Sequence, residues 1–122
     1  MATVLFIEDN LEIRENVVEF LELSGYRALA ADGGATGIEL AKEKKPDVIL
    51  CDIMMPETNG YQVFEQLRKN DATSSIPFIF VTASVEKKEI KAGLDMGAFD
   101  YIRKPFEPEE LLTAINRCLH AR

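Results

Sequence analysis

The sequence predicts an α/β domain built on a parallel sheet with helices on both faces. Two features carry this. Val4-Leu5-Phe6-Ile7, Val48-Ile49-Leu50-Cys51 and Phe78-Ile79-Phe80-Val81 are short apolar runs without polar alternation, the pattern of strands covered on both sides. Between and after them lie stretches with apolar residues at helical spacing, so strand and helix alternate along the whole chain.

The first run ends in Glu8-Asp9, and Ile13, Val17 and Leu21 then mark a helix whose stripe is widened by Val18 and Phe20 and which stops at Ser24-Gly25. Asp9 is also a candidate N-cap there, with Glu12 as capping-box partner. Arg27-Ala28-Leu29-Ala30 is a weaker second strand. Asp32-Gly33-Gly34 turns the chain into a helix with Ile38 and Ala41 inward, and Lys42 to Lys45 suit its negative end. Pro46-Asp47 breaks that helix before the central strand, which carries Asp52 at its carboxyl end before Pro56 forces an exit.

Thr58-Asn59-Gly60 opens a third helix with Val63, Phe64 and Leu67 inward, and Pro77 introduces the fourth strand, ending in Thr82-Ala83-Ser84. A fourth helix from about Val85 to Met96 is weakly amphipathic, anchored by Ile90 and Leu94, and is expected to be the least firmly held. Phe99 to Arg103 is the fifth strand, ending in Lys104-Pro105. In the last helix Pro108 occupies the first turn, Glu109 and Glu110 complement its positive end, and Leu111, Leu112, Ile115, Cys118 and Leu119 form the apolar face.

Right-handed crossovers and the doubly wound order 2-1-3-4-5 follow, with strands 1 and 3 adjacent at the switch point. Glu8-Asp9 and Asp52 then meet in one crevice. At 122 residues and 47% hydrophobic, the chain is expected to form a single domain, residues 1–122. A net charge of −7 argues against direct binding to nucleic acid or an anionic membrane and for a protein partner. No apolar run reaches the about 20 residues of a membrane helix, and the start lacks a signal peptide's basic region, so a cytoplasmic location is expected.

Cys51 and Cys118 are far apart and read as buried small hydrophobes, and His120 is the only histidine. A divalent ion must therefore be held by oxygen, which points to Mg²⁺. Three crowded carboxylates repel one another unless a cation compensates. Asp9 and Asp52 are assigned as direct metal ligands and Glu8 as a ligand through water. Thr82, a neutral donor, and Lys104, a fixed positive charge, end strands 4 and 5. Together these groups suit phosphoryl transfer, with Asp52 as the nucleophile that becomes an aspartyl phosphate.

Ile7-Glu8-Asp9-Asn10, Leu50-Cys51-Asp52-Ile53-Met54-Met55-Pro56 with Gly60, Val81-Thr82-Ala83 and Gly97 to Phe106 resemble the motifs of response-regulator receiver domains of two-component signalling, of the chemotaxis-regulator type with the flavodoxin-like (βα)5 fold. The likeness spans the whole chain. It implies that Asp52 is the phosphoacceptor, that Glu8 and Asp9 are the acidic pair, that the backbone carbonyl of Met54 completes the Mg²⁺ site, and that the Lys104-Pro105 bond is cis. It also implies Tyr101 as a switch aromatic that turns inward as Thr82 is drawn to the phosphoryl group, changing the face of the fourth helix, fifth strand and last helix, with Lys87, Lys88, Lys91 and Arg103 on it. Met54 and Ser84 resemble positions that tune hydrolysis; an apolar Met54 cannot position water, so slow self-dephosphorylation is expected.

With no Gly-x-x-x-x-Gly-Lys-Ser/Thr loop, the chain is expected to draw its phosphoryl group from a phosphohistidine, on a sensor histidine kinase or a histidine phosphotransfer protein. It is not expected to be an enzyme beyond catalysing its own phosphorylation and dephosphorylation, and its output is a downstream protein target or effector domain, with dimerisation through the fourth-to-last-helix face open on activation. Two other readings remain. One is a receiver-like docking module that works unphosphorylated, which has no need of a costly acidic cluster. The other is a flavin carrier on the same topology, in which Glu8-Asp9-Asn10 would repel the FMN phosphate.

Overall fold

Ten elements alternate along the chain: β1 Thr3–Ile7, α1 Leu11–Leu23, β2 Arg27–Ala31, α2 Gly34–Lys44, β3 Val48–Asp52, α3 Gly60–Arg68, β4 Phe78–Thr82, α4 Lys87–Asp95, β5 Asp100–Arg103 and α5 Pro108–His120. The structure, a computed structural model, describes residues 1–83 and 87–121. Ser84 and the expected start of the fourth helix at Val85 lie outside the described residues. All strand pairs are parallel, in the order β2-β1-β3-β4-β5, as the sequence predicts.

The apolar runs lack polar alternation because both faces of the sheet are covered, yet the twofold alternation of a strand still sorts their side chains. Val4, Phe6, Val48, Leu50, Ile79, Val81 and Ile102 face a cluster completed by Val17 and Leu21 of α1 and Leu111, Ile115 and Cys118 of α5. Leu5, Ile7, Ile49, Cys51, Phe78 and Phe80 face the other side, with Ile38 and Ala41 of α2 and Val63, Phe64 and Leu67 of α3. The expected helix faces therefore pack inward, with Ile13, Val18, Phe20, Leu112 and Leu119 half-buried at their margins. No described helix is long and apolar enough to cross a membrane.

Local signals act largely where expected. Tyr26 N–H donates to the Leu21 carbonyl at 3.0 Å and closes α1 past Ser24-Gly25. Asn59 and Gln62 form a reciprocal capping box on α3. Pro108 opens α5, and Glu110 Oε1 accepts from Glu107 N–H at 3.1 Å. The Lys104-Pro105 bond is cis.

Three expectations need correction. The N-cap of α1 is Asn10, not Asp9: its side chain accepts from Ile13 N–H at 2.9 Å. Leu94 does not anchor α4, because it is 42% exposed. The buried described residue of that helix is Gly93, where a Cβ would come within 2.9 Å of the Phe80 ring, so the helix is seated by a missing side chain. Finally, Phe99 precedes β5 and is exposed, although its N–H still donates to the Phe78 carbonyl at 2.8 Å.

Candidate functional site

The strand register assembles the site. Ile7 pairs with Cys51, Asp52 with Val81 and Thr82 with Arg103, so Glu8, Asp52, Thr82 and Lys104 all lie at or one residue past one edge of the sheet. That edge is the carboxyl end of the strands at the β1/β3 switch point, where ligands bind in doubly wound sheets. Lys104 Nζ lies 2.5 Å from Glu8 Oε1 and 3.3 Å from Asp52 Oδ2. One carboxylate oxygen from each of Glu8, Asp9 and Asp52 lies within 4.8 Å of the others.

Each group is held by its own local structure. Glu8 is 1% exposed, and its Oε2 accepts from Asn10 N–H at 3.2 Å. With Asn10 serving as the cap, the carboxylate of exposed Asp9 is left for the crevice. Asp52 is buried as the last residue of β3, with Thr82 buried beside it at the end of β4. The Lys104 N–H donates to the Thr82 carbonyl at 2.7 Å, which fixes where the lysine leaves the sheet.

Gly60 permits the return of the chain after β3. A Cβ there would lie 2.5 Å from the Asp52 carbonyl oxygen and 2.8 Å from Ile53 Cα, both backbone atoms that cannot swing aside. The Gly60 N–H also donates to the Ile53 carbonyl at 2.9 Å. Gly60→Ala is therefore expected to destabilise the fold by about 1–3 kcal/mol, the usual range for overpacking. Urea denaturation checks this; a midpoint equal to the wild type's would count against the close approach.

Burial raises the Glu8 carboxyl from its ordinary value to about 7, against the opposing hydrogen bonds from Lys104 and the Asn10 N–H. The Lys104 ammonium is pushed up: burial opposes this, but the hydrogen bond to Glu8 and the charge of Asp52 prevail. Burial, then the charges of Asp52 and Glu8, raise the Cys51 thiol well above its ordinary value and keep it neutral.

The donor set suits Mg²⁺. It is made of carboxylate oxygens, with no described cluster of nitrogen or sulfur ligands beside it. Two oxygens on one Mg²⁺ lie at most about 4.2 Å apart at the usual bond length. The 4.8 Å spread thus needs only a small rotamer change, or a water between Glu8 and the ion.

Strand alternation divides the remaining residues by face. Tyr101 is half-buried against the cluster containing Phe80, its neighbour in register, on the side to which α3 and α4 pack. Thr82 continues the Phe78, Phe80 parity and so belongs to that side, whereas Glu8 and Asp52 continue the opposite one. Met54 is 73% exposed in the loop after β3. Lys87, Lys88, Lys91 and Arg103 are all exposed. His120 is exposed and distant from these groups in sequence.

One polar contact at the site has little signature in the sequence. Arg14 Nη1 donates to the Glu8 carbonyl at 2.8 Å and reaches the Asp9 carbonyl at 3.5 Å. Its only advance sign is a cation one turn into the helix that follows the acidic pair.

A sheet of this order with acid pair, aspartate, hydroxyl and lysine on one edge defines a class of phosphoaccepting signalling domains, and comparison with known proteins agrees. The family model described as the response regulator receiver domain matches residues 4–116. Protein PilH of Pseudomonas aeruginosa is 40% identical over 119 residues, 98% of each chain. The phosphate regulon transcriptional regulatory protein PhoB of the same organism is 38% identical over 117 residues, 96% of this chain and 51% of that protein. The crystallised chemotaxis protein CheY4 of Vibrio cholerae superposes with a TM-score of 0.91 at 30% identity, covering 97% of this chain and 98% of the other. The chain thus spans nearly all of PilH and about half of PhoB.

The chain belongs to the response regulator receiver domain family. It is a phosphoacceptor domain of two-component signalling, a family that works with histidine kinases or phosphotransfer proteins and with downstream effectors. The docking-module reading is accordingly not favoured.

Proposed function

We propose that residues 1–122 form one receiver unit that takes a phosphoryl group from a phosphohistidine onto Asp52. The observation that carries this reading is the shared crevice of Glu8, Asp9, Asp52 and Lys104 at the carboxyl edge of the sheet. One Asp52 oxygen forms the new bond to phosphorus, and the bond from phosphorus to the donor imidazole nitrogen breaks with its electron pair left on that nitrogen. Lys104 offers a positive charge beside the carboxylate, and the Thr82 hydroxyl offers a hydrogen bond to an equatorial oxygen. Asp9, Asp52 and the Met54 backbone carbonyl would hold Mg²⁺ directly, with Glu8 acting through water. When bound, the ion would neutralise charge on the phosphoryl oxygens.

As Thr82 turns toward the phosphoryl group, space opens on the side of the sheet that Tyr101 shares. Inward rotation of Tyr101 would then alter the α4, β5 and α5 face, the surface offered to a target, an effector domain or a second copy. The domain acts as a catalyst only on its own phosphorylation and dephosphorylation, in the cytoplasm.

The deciding experiment is the intact mass after incubation with acetyl phosphate and Mg²⁺, which is expected to show a single phosphoryl adduct that chelation of the metal abolishes. The exposed, apolar Met54 offers no group to orient a hydrolytic water, so the adduct is expected to persist for minutes or longer. Decay within seconds of removing the donor would contradict this assignment.

A further inference from the structure

We propose that Arg14 is a positioning residue of the acidic site, one that sets where Glu8 and Asp9 stand. This rests on the assignment of those residues to the metal. Two successive carbonyls between β1 and α1 accept from this one side chain, and the next accepts from its backbone N–H as the first helical bond of α1. Arg14 Nη1 donates to Glu8 O at 2.8 Å and reaches Asp9 O at 3.5 Å, while the Arg14 N–H donates to Asn10 O at 3.0 Å.

The need for such a clamp follows from where Glu8 lies. It is one residue past β1; its N–H still donates to the Ala31 carbonyl at 3.0 Å, and its carbonyl is taken by the guanidinium. The Glu8 and Asp9 carbonyls flank the Asp9 Cα. A donor reaching both fixes the peptide planes on either side and therefore the direction of the Asp9 side chain. The Glu8 side chain has separate anchors in the Asn10 N–H and Lys104, and Asn10 is committed to capping α1. Asp9 is the exposed member of the trio.

Charge and geometry predict opposite effects here, which makes the role testable. A guanidinium near a cation site repels the cation, so removing its charge alone would tighten Mg²⁺ binding. Removing a clamp on the ligands would weaken it, by about tenfold or more when an orienting partner is lost. Lysine keeps the charge but is a point donor without the planar fork, and should hold the carbonyls only in part.

The test uses the full chain as wild type, Arg14→Gln, Arg14→Lys and Asp9→Ala. Mg²⁺ affinity is measured by titration calorimetry, amide exchange at Asp9 and Asn10 without metal, and stability by thermal unfolding. Arg14→Gln is expected to raise the Mg²⁺ Kd about tenfold and to speed exchange at both amides, with phosphorylation by acetyl phosphate recovering at saturating Mg²⁺. Arg14→Lys should fall between, and it carries the test if Arg14→Gln does not fold. A Kd equal to or below the wild type's in a folded Arg14 variant overturns the proposal alone, even if thermal stability drops. A wild type that binds no Mg²⁺, or an Asp9→Ala variant that binds it as tightly, overturns the site assignment and the proposal with it.

Discussion

Asp52→Asn is expected to fold like the wild type and to show no phosphoryl adduct after incubation with acetyl phosphate and Mg²⁺. The amide keeps the shape of the carboxylate at a buried site, so packing at the end of β3 changes little. It removes the proposed nucleophilic oxygen, and the sequence's one histidine, His120, ends α5, the far end of that helix from Lys104. It also removes a negative charge that helps raise the Glu8 carboxyl, but with it the ion pair of Asp52 to Lys104 at 3.3 Å, so relieved repulsion and lost attraction oppose each other while the Lys104 bond to Glu8 remains. Unfolding at neutral pH should therefore require about as much urea as for the wild type. An adduct of equal yield on the folded variant would place the acceptor elsewhere. A variant that fails to fold would show that Asp52 is needed for structure.

Much of the fold was legible because the central strand announces itself twice. Val48 to Cys51 has the apolar continuity of a doubly covered strand, and Pro46 and Pro56 bracket it. The helices with broad stripes, α1 and α5, bury Val17 and Leu21, and Leu111 and Ile115, as their periodicity implies. Helix α4 is the counterexample. Its seat is the ring of Phe80 against Gly93, and a sequence pattern that looks for apolar side chains reads instead the exposed Leu94. Contact made by the absence of a side chain leaves no hydrophobic signal.

At the site, the carboxylates and the lysine were legible because parallel register places consecutive strand ends side by side, whatever the loops do. What escaped was the arrangement around them. Asn10 and Asp9 are both good caps, and which one serves depends on backbone placement; the structure gives the role to Asn10. The contacts of Arg14 are to backbone carbonyls, which every residue possesses, so residue identity could not point to them.

The metal-free protein is expected to lose stability as pH rises from about 4.5 to about 7, the reverse of the usual behaviour of a paired carboxylate. Glu8 is the cause. Burial holds its folded carboxyl at about 7, raised from 4.5, so the folded state binds a proton more tightly than the unfolded chain does. That proton's contribution is fully present below 4.5 and is lost as pH passes through about 7. The shift corresponds to about 3 kcal/mol across that window. Lys104 is also raised, but from 10.5, so its contribution stays constant throughout this range. Mg²⁺ held as proposed would bind the deprotonated cluster, so added metal should restore stability most at pH 8 and little at pH 5. Urea midpoints at both values, with chelator and with Mg²⁺, measure this directly, and Glu8→Gln should flatten the chelator curve by removing the titrating group. A wild-type curve with chelator that rises between pH 5 and 8 would show that the Lys104 bond, not burial, dominates Glu8 in the folded protein.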